Sequence, residues 1–316
     1  QLNGAMALYT MQRDITMAGY GIISTNTVLG CEVRGKYGNN AAHSFTLAPV
    51  VITAGASGDV SDSITVLRSG SNGYAVPIVT TGTHANTDTF FNVQSTLGVP
   101  LGDLMLAMPV APDSTHWCTM FTVNAGASSS LTATTIPNET ASNTWSPAAT
   151  NMPTSYASGS MLAKISQLVY RRFSVSSNDL VSTDLITDTD GTASNTIGPQ
   201  IVLLKAYYGK DINADGAVDT YDTTTPTTTA GWLQIKTIRI AVVARSAQRE
   251  KDAVTTTNPL WDVGTATSVT NASACGASKC MPLEIHPALG ADTEWQHYRY
   301  KVYDTVIPLR NMLWTS

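Results

Sequence analysis

Hydrophobic and polar positions change rhythm once along this chain. Over residues 1–18 the apolar residues Leu8, Met11, Ile15 and Ala18 fall at i, i+3, i+7 and i+10, which lays a single stripe down a helix. Gly19 and Gly21 follow, as expected just past a helix end. From residue 44 onward the apolar runs shorten to strand length and turn residues separate them. Residues 63–68 alternate and run into a Ser/Gly/Asn turn at 69–73. Residues 162–176 and 201–208 each predict a strand, and 232–245, long and β-branched, predicts a central one. Residues 297–303 alternate aromatic and basic side chains, and 307–314 form the closing segment. Residues 125–160, rich in Ser, Thr, Ala and Asn with Pro137, Pro147 and Pro153, predict a long surface excursion. No repeat of 20–50 residues occurs. No βα alternation occurs either, which argues against Rossmann and TIM-barrel enzymes. The expected class is α+β, with an amphipathic helix over 1–21 packed on an antiparallel, β-rich head over 22–316.

Composition narrows the setting. Only 13% of residues are charged, and the surface polarity must come from Thr, Ser, Asn and Gly. The net charge of -5 and the scattering of 18 Lys and Arg give no reason to expect nucleic acid. No run of apolar residues is long enough to span a membrane, and no signal peptide precedes the helix. Four cysteines, Cys31, Cys118, Cys275 and Cys280, suggest an oxidising compartment. Cys275 and Cys280 can bridge across one turn, leaving Cys31 with Cys118 as the default second pair. Four cysteines nonetheless allow three pairings. An oxidising compartment without an export signal leads us to expect a form whose front has been removed.

The sharpest chemical signal is the stretch 211–222, DINADGAVDTYD. Asp211, Asn213, Asp215, Asp219 and Asp222 stand at positions 1, 3, 5, 9 and 12 of a twelve-residue calcium loop. Gly216 supplies the sharp turn and Ala217 a backbone carbonyl. Calcium takes six to eight oxygens, and alternate residues of a tight turn can aim theirs at one centre. Asp222 replaces the usual bidentate Glu and is the weakest of the set. A strand precedes the loop and a Thr/Pro tract follows, so no helix pair is present to open and close; the ion expected is structural Ca2+. A second acidic turn, 184–191, is better explained as a hairpin with glycine at positive φ.

Catalysis finds little support. His43, His84, His116, His286 and His297 show no paired ligand spacing, and no GxSxG elbow occurs. His116-Trp117-Cys118 invites a thiol site only if Cys118 is free. On the helix, Leu2, Met6 and Tyr9 cannot all share the stripe that faces the sheet. They are candidates to face a partner, with wider coverage of the sheet as the alternative.

Four blocks in order carry a family resemblance. Residues 9–21, YTMQRDITMAGYG, resemble the end of the long N-terminal helix of PilW-type minor pilins. Residues 201–216, IVLLKAYYGKDINADG, resemble that family's strand and Tyr-Gly-Asp loop, and 236–246, KTIRIAVVARS, its next strand. Residues 298–314, YRYKVYDTVIPLRNMLW, are similar to its C-terminus, whereas 80–160 contribute little. The resemblance implies a type IV pilin-like fold and a non-enzymatic subunit of a tip or priming complex. It implies contact with other minor pilins, the major pilin and a PilY-type adhesin. It also implies an upstream helix half in the inner membrane, absent here, with passage from inner membrane and periplasm to the pilus tip of a Gram-negative cell. A J-type pseudopilin of type II secretion is a close cousin. A secreted calcium-stabilised surface- or carbohydrate-binding β-domain, using Trp145 and Trp295, is a rival from another class, and an extracellular hydrolase a more distant one.

Overall fold

The computed structural model describes residues 2–22, 26–38, 40–70, 76–141, 144–146, 151–165, 167–186, 193–286 and 293–313. The chain opens on a helix, Leu2–Thr16, whose Ala7, Met11 and Ile15 are fully buried along with Ala18 just beyond it. Gly19 and Gly21, at φ 79° and 70°, turn the chain away in the left-handed region that glycine enters without strain. The stripe packs on the seam between two antiparallel sheets. Gly4 lies so close to the Tyr303 ring that a Cβ there would clash with it.

One sheet has five strands in the order Ser268–Val269, Thr220–Asp222, Ile201–Lys210, Ile235–Arg245 and Tyr300–Pro308. Its central strands are buried on both faces, which is why they appear in sequence as continuous apolar runs. Leu204, Ala206, Tyr208, Ile238, Ile240 and Val242 face the helix and the second sheet. Leu203, Tyr207, Ala241 and Val243 face Trp261, Val263, Met281 and Leu283 of a small three-stranded cover. The second sheet runs Asn195–Pro199, Asp179–Asp184, Leu168–Ser176, Ser63–Ser69, Val50–Thr53. The Tyr208 hydroxyl accepts the Ile52 N–H at 2.6 Å and so ties the two sheets together.

A seven-stranded sheet and two strand pairs account for most of residues 32–165. Its strands Glu32–Tyr37 and Cys118–Thr122 are parallel, and the Cys31–Cys118 bond joins them where Val33 pairs Cys118. Cys275–Cys280 closes the other predicted pair, within the small cover.

Several expected boundaries shift. The strand expected over 162–176 is two, Met161–Lys164 and Leu168–Ser176, and they belong to different sheets. The chain turns between them with Gln167 at φ 58°, a bend no Gly or Pro announces. Trp232 is not in the central strand. It belongs to a short helix, Thr229–Leu233, whose Thr228 hydroxyl accepts the Gly231 N–H, and the strand begins at Ile235. The segments at 297–303 and 307–314 are one strand, Tyr300–Pro308, between a 3-10 turn at Glu294–His297 and a helix at Arg310–Leu313. Residues 125–160 are not simply a surface excursion: Ile136, Trp145, Met152 and Tyr156 are buried. Of the acidic turn at 184–191, residues 187–191 lie outside the described residues, as do 71–73, Pro147 and Trp314.

Candidate functional site

The N-terminal helix presents two faces of different chemistry. Opposite its buried stripe, Met6 is 56% and Tyr9 69% exposed, so these two do not extend the cover over the sheet. The Leu2 side chain lies outside the described residues. Asp14, in the last turn, is only 2% exposed and points inward. It meets Arg171 at 2.7 Å and Arg68 at 3.7 Å, one from each of two neighbouring strands of the second sheet. A carboxylate that deeply placed is tolerable because opposite charge and hydrogen bonds replace its water. No periodic signal marks it, since a polar residue beside the stripe predicts exposure.

The loop after Ile201–Lys210 gathers most of the predicted calcium ligands. Asp211, 3% exposed, accepts the N–H groups of Asp215 at 3.2 Å and Gly216 at 3.0 Å. Asp219 accepts from Ile212 at 2.7 Å, and Asp215 from the Ala217 N–H at 2.8 Å. Gly216, at φ 88°, makes the turn. The Asn213 amide nitrogen lies between two carboxylates, 3.1 Å from Asp215 and 3.2 Å from Asp219. A positive partial charge there holds apart groups that would otherwise repel, which is the place a cation would take. The assignment of amide N and O follows the hydrogen bonds, and a cation would require the amide to turn its oxygen inward.

Asp222 is not brought into this group. It ends the strand Thr220–Asp222, opposite Tyr208, and its carboxylate meets the Lys210 ammonium at 2.6 Å. Among the described residues, no three His, Cys, Asp or Glu side chains converge closely enough to hold a metal ion. The donor types are those of a calcium loop, but their carboxylates do not converge on one centre.

The histidines are dispersed. His84 is 2% exposed, stacked on Phe91 at 3.7 Å, and its Nε2 faces the Asn138 amide at 3.3 Å. Burial lowers its pKa. His286 stacks on Trp295 at 4.3 Å, and His116 sits at 3.1 Å from Asp113 on the surface. The adjoining Cys118 is bonded to Cys31, which removes the thiol reading. No described helix is long and apolar enough to cross a membrane.

Among proteins of known identity, residues 157–311 match the family model described as PilW, Type IV Pilus-assembly protein W. That span holds two of the four blocks of resemblance and most of a third, 298–314, and leaves out the helix. No curated protein matches the chain. A solved structure, the type IV-like pilin TTHA1219 from Thermus thermophilus, aligns over 98% of this chain and 96% of its own at 8% identity. Its TM-score of 0.36 is too low to carry an argument. Two disulfides and a helix on antiparallel sheets accompany the match, and a type IV pilus component is associated with the cell envelope or the pilus. Through residues 157–311, just under half of its length, the chain is similar to the PilW family of type IV pilus-assembly proteins.

Proposed function

We propose that this chain is a minor pilin, a structural subunit without catalytic activity that joins other minor pilins in the complex that starts pilus assembly. The observation that carries the reading is the split helix. Its Ala7, Met11 and Ile15 are buried against the head, while Met6 and Tyr9 present apolar surface to solvent. Exposed large apolar groups on a helix already packed along one side are suited to a second helix. In this reading the helix continues upstream into the inner membrane before assembly, and the subunit then passes to the pilus tip, in contact with the major pilin and a PilY-type adhesin. Reconstitution with the partner minor pilins of the same cell tests it. Tyr9→Asp, at a position 69% exposed, leaves folding intact and abolishes co-assembly. Co-assembly at wild-type level would sink the proposal.

We further propose that the 211–219 loop takes one structural calcium, with Asp211, Asn213, Asp215, Asp219 and the Ala217 carbonyl as ligands and Asp222 left to Lys210. The ion would offset two of the three negative charges on one turn. Calorimetric titration of the chelated protein checks this, and absence of saturable heat at about millimolar calcium, the weak end for extracellular modules, would rule the site out.

A further inference from the structure

Beside the start of the N-terminal helix, strands Ile235–Arg245 and Tyr300–Pro308 and the segment at 246–255 border an open cavity of about 510 Å³. Arg245, Arg299 and Lys301 line it together with Val254, Tyr300 and Tyr303, and among the described residues no carboxylate does. Nearby acids are spent: Glu250 pairs with Arg299 at 3.0 Å and Glu294 with Arg249 at 2.8 Å. Arg245 gives two N–H groups to Gln200 and stacks on Tyr298 at 4.3 Å, which holds its guanidinium in place. Lys301 is exposed and has no ion pair among the described residues; its ammonium stands 5.2 Å from the Tyr303 ring. An apolar floor under a cationic rim suits an aliphatic side chain flanked by carboxylates.

The molecule carries that chemistry at the other end of the same sheet. Ile201 pairs Ala244 at the cavity, and the ten-residue strand ends at Lys210. At about 3.4 Å per residue, the loop at 211–219 lies roughly 30 Å away. There Ile212 is 59% exposed among Asp211, Asp215 and Asp219, with no Lys or Arg in the loop. Lys210 at its base is occupied by Asp222.

We propose that the cavity receives the 211–219 loop of a second copy of this chain. Ile212 enters over Val254 and Tyr300, and Asp215 and Asp219 meet Lys301 and Arg245, the lining cations that have no carboxylate partner among the described residues. The two surfaces differ, so the contact is heterologous and adds copies head to tail along the strand direction. Its charge pairs lie at the rim, which makes it weak and sensitive to salt. It does not depend on calcium: an ion in the loop would cancel two of its three negative charges and weaken the contact.

Sedimentation velocity of the full chain, in chelator and low salt, tests this. The expected result is concentration-dependent self-association that disappears at about 0.5 M salt, where the screening length is only a few ångström. Lys301→Glu, Asp215→Lys and Ile212→Ser each weaken it by about tenfold or more, all at exposed positions. An equal mixture of Lys301→Glu and Asp215→Lys regains association, because each reversed surface then meets its complement. A chain that stays monomeric in low salt overturns the proposal, as does association unchanged by Lys301→Glu. A monomer that instead binds poly-glutamate or anionic lipid vesicles through Lys301 also overturns it, and assigns the cavity to another partner.

Discussion

The sheet under the N-terminal helix and the region at 76–156 are built in different ways. The sheet rests on two long neighbours, the ten residues of Ile201–Lys210 and the eleven of Ile235–Arg245, buried on both faces by aliphatic side chains. The region at 76–156 is made of strands of two to five residues. Its core leans on aromatics, with Phe91 against Phe121, His84 and Tyr156. Polar cross-ties supplement it: the Tyr156 hydroxyl donates to the Trp117 carbonyl at 3.0 Å and to Thr119 at 2.8 Å. The family match begins at residue 157, so the long-strand sheet lies inside it and the short-strand region outside. Long buried strands make a scaffold that tolerates attachments; a region of short strands depends on a few anchoring contacts and on what pins its ends.

If the two regions differ in this way, the largest effect should come from the bond that pins the short-strand region to the strand Glu32–Tyr37. Opening Cys31–Cys118 by alanine at both positions frees a loop of 87 residues, about 4–5 kcal/mol in the chain-entropy model. The loss should fall on the short-strand region, measured by hydrogen exchange. Uniform loss across both regions would erase the distinction. Opening Cys275–Cys280, with a separation of 5, costs only about 2 kcal/mol and affects the cover over the long-strand sheet.

Truncations sharpen the contrast. Trp232→Ala and Phe91→Ala each remove a fully buried aromatic, for about 3–5 kcal/mol. In thermal unfolding Phe91→Ala should lower an early transition and leave a later one in place, while Trp232→Ala lowers the later one. A single transition shifted equally by both would show one cooperative unit.

A smaller effect comes from pH. Burial lowers the His84 pKa, so the folded form resists the proton that the unfolded form accepts below about pH 6.5. Stability is full above that pH and falls as pH drops, by up to about 1.4 kcal/mol per pH unit for one proton. The groups facing His84 are the Asn138 amide, the Phe91 and Tyr156 rings and the Asp88 charge; the Asn138 hydrogen bond and, after it, the Asp88 charge oppose the shift, and burial outweighs them. His84→Leu should flatten the acid slope of the short-strand region. His43, also lowered by burial, adds a slope of the same sign outside that region.

Legibility in the sequence followed the same division. The helix stripe and the two long strands were visible because a sustained period or a β-branched run has few alternative readings. The buried residues of 125–160 were not, because Ile136, Trp145, Met152 and Tyr156 stand singly in Ser/Thr-rich text. Isolated apolar residues carry no period, and their burial is decided by tertiary contacts. In the calcium loop, spacing identified Asp211, Asn213, Asp215 and Asp219 as neighbours. It could not show that Lys210 holds Asp222, since that pair forms across a strand register.

The Asp14 pair has a consequence for rotation. A helix turns about 100° per residue, so a slip of one position would carry the carboxylate away from both Arg68 and Arg171 and bury it unpaired. The head is thereby keyed to its stalk at one azimuth. The direction in which the short-strand region points around the helix axis is set from the head, by a single carboxylate in the helix's last turn.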